Sequence, residues 1–112
     1  MLSPHIQARE NFKTLDLLSF ALNRSGVDRR AWQVATSFSD LAPCDDCVCL
    51  YGQGAGWTVS YTERGQWREM ARFPDLFEAS KYFYAHFRPG ASPYDVREQW
   101  EDQTGQQFSM VE

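Results

Sequence analysis

The sequence is poor in what would tie it to nucleic acid or to a membrane. Lysine and arginine number 11 against 15 aspartates and glutamates, a formal net charge of −4. Non-specific grip on phosphates needs a basic stripe that replaces counterions, and an acidic balance argues against that role. No apolar run approaches the roughly 20 residues of a membrane-spanning helix. The first ten residues, with His5, Arg9 and Glu10, lack the apolar core of a secretory signal. The expected location is the cytoplasm.

Cysteine is also scarce. The only three, Cys44, Cys47 and Cys49, sit together with no distant partner, which argues against a disulfide framework and fits a reducing compartment. Zinc wants four ligands, usually from two separated pairs, and here no second pair exists; the only histidines are His5 and His86. The cysteines therefore read as small buried hydrophobes, and no metal is expected. A Cys49/His86 nucleophile pair lacks any local group that would lower the thiol pKa. Gly52-x-Gly54-x-Gly56 has neither the spacing nor the following helix of a dinucleotide loop. No catalytic residue and no cofactor are expected, and the chain reads as a binding protein, not an enzyme.

What is present is core. Hydrophobic residues make up 43% and aromatics 15% of 112 residues, enough for one domain and not two. From Phe12 to Asn23 the apolar positions fit a helix with one buried face, ended by Gly26. Residues 28–36 are ambiguous. Alternation of Trp32, Val34 and Thr36 favours a short strand, whereas Asp28 in front of Arg29-Arg30-Ala31 suits a capped helix. Residues 37–46 read as a loop.

Three segments then resemble an antiparallel meander: 47–51, 57–62 and 67–73. Trp57, Val59 and Tyr61 alternate with Thr58, Ser60 and Thr62, as a half-buried strand requires. Trp67, Ala71 and Phe73 fall on the apolar face, with Glu69 the one break. The other face, with Thr58, Ser60, Thr62, Arg68 and Arg72, is expected to be an open polar surface. Asp75 caps a helix over about 76–88 whose apolar residues recur at helical spacing. Ser92-Pro93 starts a short acidic helix with Glu98, Glu101 and Asp102, anchored by Trp100. The expected fold is α+β: an antiparallel sheet of three to four strands packed against an N-terminal helix and the 76–88 helix. Residues 1–11 and 103–112 are expected to be poorly ordered.

From about Gly26 to Phe87 the chain resembles a group of small immunity proteins from bacterial polymorphic-toxin and contact-dependent growth inhibition systems. The residues that carry the resemblance are Cys47-Val48-Cys49-Leu50 before a glycine turn, then Gly56-Trp57-Thr58-Val59-Ser60-Tyr61-Thr62-Glu63-Arg64-Gly65. Phe73, the acidic turn at Asp75 and the run Glu78-Ala79-Ser80-Lys81-Tyr82-Phe83 complete it. The resemblance implies binding of a cognate toxin domain and occlusion of its active site. A nuclease toxin with a basic cleft would suit the negative charge, by electrostatic steering. The candidate contacts are Asp45, Asp46, Glu63, Glu98, Glu101 and Asp102, with Tyr51 and Trp100 as aromatic anchors. The alternatives are an adaptor or chaperone-type binding module, or a small cysteine-dependent metal-binding or enzymatic protein.

Overall fold

The structure is a computed structural model that describes residues 4–108. Helix α1 (Pro4–Arg24) comes first, so residues 4–11, expected to be weakly ordered, form its opening turns. Leu15, Leu18, Ala21 and Leu22 lie on one face of it and are buried against the sheet. Leu17 faces elsewhere, into a second cluster with Trp100 and Phe108. Gly26, at φ +74°, turns the chain out of the helix.

Both readings of residues 28–36 hold in part. Asp28 caps a single 3-10 turn, Arg29–Ala31, by accepting from the Arg30 backbone N–H at 2.9 Å. Strand β1 (Trp32–Ala35) follows directly. Strands β2 (Cys47–Gln53), β3 (Gly56–Glu63) and β4 (Gln66–Phe73) form the expected meander. The sheet order is β1-β2-β3-β4, with β1 parallel to β2 and the other pairs antiparallel. The sheet is thus mixed though mostly antiparallel, because the 36–46 connection carries the chain back to the start of a parallel neighbour.

The turns follow their residues. Arg64 and Gly65, both at positive φ, make the two-residue β3–β4 turn, as a type I′ hairpin demands. Gly52 has a different reason. A Cβ there would stand 2.4 Å from the Thr36 carbonyl oxygen, so only glycine lets the two chains approach.

Helix α2 (Leu76–Phe87) is capped by Asp75, whose side chain accepts from the Glu78 N–H at 2.8 Å. Its Leu76, Ala79, Phe83 and Tyr84 join α1 and the sheet residues Trp32, Val48, Leu50, Trp57 and Val59 in the main core. Ser92 and Asp95 form a reciprocal capping box at a 3-10 turn, Pro93–Val96, which runs into helix α3 (Arg97–Thr104). Residues 103–108 are ordered, contrary to expectation: α3 extends to Thr104, and Phe108 is buried on Trp100. The rest of the two expected poorly ordered segments, 1–3 and 109–112, lies outside the described residues.

Candidate functional site

Cross-strand partners share a face of a sheet, so the register sorts the side chains. Trp57, Val59 and Tyr61 face the helices with Trp32, Val48 and Leu50. The second face carries three rows: Cys47–Thr62–Trp67, Cys49–Ser60–Glu69 and Tyr51–Thr58–Arg72. This corrects the expected placement of Trp67. A β-bulge between Val59 and Ser60 moves the register from Val59–Ala71 to Ser60–Glu69, which leaves Met70 as the extra residue. Met70, Ala71 and Phe73 serve the core side, while Trp67 and Glu69 are delivered to the other. Glu69 therefore breaks no pattern; it stands on the polar side and accepts from the Arg72 guanidinium at 2.6 Å.

Nor is the second face open. Thr58, Ser60 and Thr62 are buried, because residues 36–46 fold across them. Phe38, in a 3-10 turn at Phe38–Asp40, stacks edge-on against Tyr51 and Trp67 at centroid distances of 5.3 and 4.9 Å. Leu41 and Cys44 pack on Cys47, Cys49 and Tyr51. Gln33 holds the loop from the neighbouring strand: its amide accepts from the Ala42 N–H and donates to the Ala42 carbonyl at 3.1 Å. Phe38 and Trp67 nonetheless remain 48% and 41% exposed, a two-ring apolar step on a polar surface.

Three of the expected acidic contacts meet around Tyr61, on the helix-facing side of the sheet and not at this step. Asp45 accepts from the Arg64 backbone N–H, and Asp46 accepts from the Tyr61 hydroxyl at 2.8 Å, so both are strapped to the end of the sheet that bears Glu63. The hydrogen bond to Asp46 is the main cause that pushes the Tyr61 phenol up to about 12, and the charges of Asp46, Glu63 and Asp45 add to it. Asp40, in the Phe38 turn, and Glu69, on the Trp67 face of β4, were not singled out by sequence reasoning, and both are exposed.

The other expected contacts lie elsewhere. Glu98 and Asp102 are exposed on α3, where they line a shallow groove with Tyr94 and Asp95. Glu101 is occupied within the fold: it accepts from the Phe108 N–H at 2.6 Å and lies 3.8 Å from the Arg97 guanidinium. The two aromatic anchors need correction. Trp100 has no exposed surface, and its indole N–H donates to Asp16 at 2.8 Å. Tyr51 is 5% exposed and its hydroxyl bonds Ser60 at 2.8 Å. Both rings are spent on packing; on the second face the rings that reach solvent are Phe38 and Trp67, while Phe12, Phe77 and Tyr82 are exposed on the helices.

The cysteines converge more closely than their spacing suggested. Cys47 and Cys49 alternate onto the second face, and the loop returns Cys44 over them. The Cys44–Cys49 and Cys47–Cys49 sulfur distances are 3.8 and 3.9 Å. Burial pushes the Cys47 thiol up to about 12 and raises that of Cys49 as well, so neither is an activated nucleophile.

Among the described residues no helix is long and apolar enough to cross a membrane. In comparisons with known proteins, no family model, no curated protein and no solved structure matches this chain.

Proposed function

We propose that this chain is an immunity protein, which binds a cognate bacterial toxin domain stoichiometrically and covers its active site. The observation that carries the reading is the exposed Phe38–Trp67 pair, with the exposed carboxylates Asp40, in the Phe38 turn, and Glu69, on the Trp67 face of β4, beside it. Large aromatic rings supply most of the energy at the centre of protein interfaces, and charges at the rim set the rate and choice of encounter. An acidic rim selects a basic partner surface, which is what a nuclease presents around its phosphate-binding cleft. The resemblance over residues 26–87 supplies the partner class. The reading needs no cofactor and no catalytic group in this chain.

The test is affinity capture with the tagged chain from the source cells. The expected result is one co-purifying domain in a one-to-one ratio, lethal when expressed alone and harmless when expressed with this chain. The Phe38→Ala/Trp67→Ala variant should lose that protection while still folding. Recovery of many unrelated clients, or of a secretion component, would replace the immunity reading with an adaptor. Full protection by the double variant would remove the aromatic step from the interface.

A further inference from the structure

The three cysteines have no part in that surface reading, and their geometry calls for an explanation of its own. Strand alternation sets Cys47 and Cys49 side by side, and Gln33 clamps the loop so that Cys44 closes the triangle. All three sulfurs lie within 4.8 Å of one another. The two shorter separations, 3.8 and 3.9 Å, are far too long for a disulfide, whose S–S bond is about 2.05 Å. They match the edge of a metal–thiolate tetrahedron, about 3.8 Å when each metal–sulfur bond is about 2.3 Å. Cys44 is half-buried on a loop, so it can close the third edge by a small movement. A shallow groove that includes Arg29, Arg30, Cys44 and Cys47 reaches the cluster from outside.

We propose that Cys44, Cys47 and Cys49 form a three-thiolate site for a thiophilic d10 metal ion, Zn2+ or Cu+, with a further coordination position facing the groove. An all-sulfur donor set selects soft and borderline ions over calcium and magnesium. On binding, three S–H bonds break, three metal–sulfur bonds form, and three protons pass to the buffer. A divalent ion with three thiolates carries one net negative charge, and the groove beside it is lined by Arg29, by Arg30, which pairs with Asp28, and by Asp45. Each thiol gives up its proton on binding, so protons compete with the metal and affinity rises with pH. The Gln33 amide N–H, 3.4 Å from the Cys44 sulfur, orients that thiolate from outside the first ligand layer.

The experiment titrates the reduced, metal-free full chain with Cd2+, following the ultraviolet sulfur-to-metal charge-transfer band and the protons released. One Cd2+ per chain is expected, with release approaching three protons per ion above neutral pH. Co2+ should give the intense visible bands of a four-coordinate site. Competition then separates the sources: displacement of Cd2+ by Zn2+ alone assigns a zinc site, and displacement by buffered Cu+ at far lower free concentration assigns a copper site. Cys44→Ser sits on the half-buried loop position and should fold as the parent does by circular dichroism. It should bind at least about tenfold more weakly, since even outer-layer changes cost that much. Absence of a stoichiometric charge-transfer band, or an unchanged band in Cys44→Ser, overturns the proposal. So does a Cys44–Cys49 disulfide that forms in place of metal uptake when both metal and mild oxidant are offered.

Discussion

Trp100 separates an interface anchor from a core residue, and its replacement makes a quantitative test. The indole is fully buried against Leu17 and Phe108, and its N–H is bonded to Asp16. Trp100→Ala removes the ring and leaves a cavity at the junction of α1, α3 and the segment ending at Phe108, at a cost of about 3–5 kcal/mol. Asp16 is solvent-exposed, so water replaces the lost donor and adds little to that figure. Trp100→Phe keeps most of the packing, and with water able to serve Asp16 it should cost only about 1 kcal/mol. A domain of this size holds roughly 5–15 kcal/mol in all, so the alanine variant sits near the edge of folding. Urea unfolding followed by circular dichroism reads this directly. With a slope of about 1–3 kcal/mol per molar, the alanine variant's midpoint should fall by about 2 M. A loss below about 1 kcal/mol in Trp100→Ala would refute this account of the second core cluster. If partner affinity collapsed in a stable Trp100→Phe variant, the ring would return to the interface.

Three further outcomes follow from other parts of the fold. Gly52→Ala places a methyl against the Thr36 carbonyl and should destabilise by about 1–3 kcal/mol, whereas Gly105→Ala, with open space around it, should pay only the left-handed backbone cost; parallel melting curves compare them. Tyr61 is held protonated beyond its ordinary range, so this contribution to stability is complete below pH 10 and is lost as pH rises through about 12. Asp46→Asn should move the phenol titration back towards 10, read as tyrosinate absorbance against a Tyr61→Phe blank, and an unmoved curve would dismiss the Asp46 hydrogen bond as its cause. Reversing Asp45, Asp46 and Glu63 to lysine should slow association with a basic toxin domain and flatten its salt dependence, measured by stopped-flow mixing; an unchanged salt slope would clear these residues of steering.

The meander and α2 were legible because each is written in one repeated signal: strict alternation in β3, and a capped helical period from Asp75 onward. The early start of α1 was not. Its first turns present polar residues such as Gln7 and Arg9 to solvent, so they carry no apolar periodicity. The face of Trp67 was hidden by the bulge. One extra residue reverses parity, and the only trace of it in the sequence was Glu69 on an otherwise apolar side. Trp100 could be read both as the tie of the acidic helix to the body and as a partner anchor, because that helix offers it no apolar neighbours of its own. Its partners, Leu17 and Phe108, come from the two ends of the described chain. The cysteine triangle was discounted on ligand counting along the sequence, which cannot see a loop folded back by a glutamine from the adjacent strand.

That loop has a consequence for how the molecule opens. Residues 36–46 are at once the connection that makes β1 a parallel edge strand and, among the described residues, the layer over the second face. The two roles cannot be released separately. If Phe38 and Leu41 lift off, the Gln33–Ala42 clamp breaks, β1 loses its tether, and the cysteines and Tyr51 meet water together. Amide protons in β1 and in the outward-bonded positions of β2 should therefore exchange as one cooperative unit, below the free energy that protects β3.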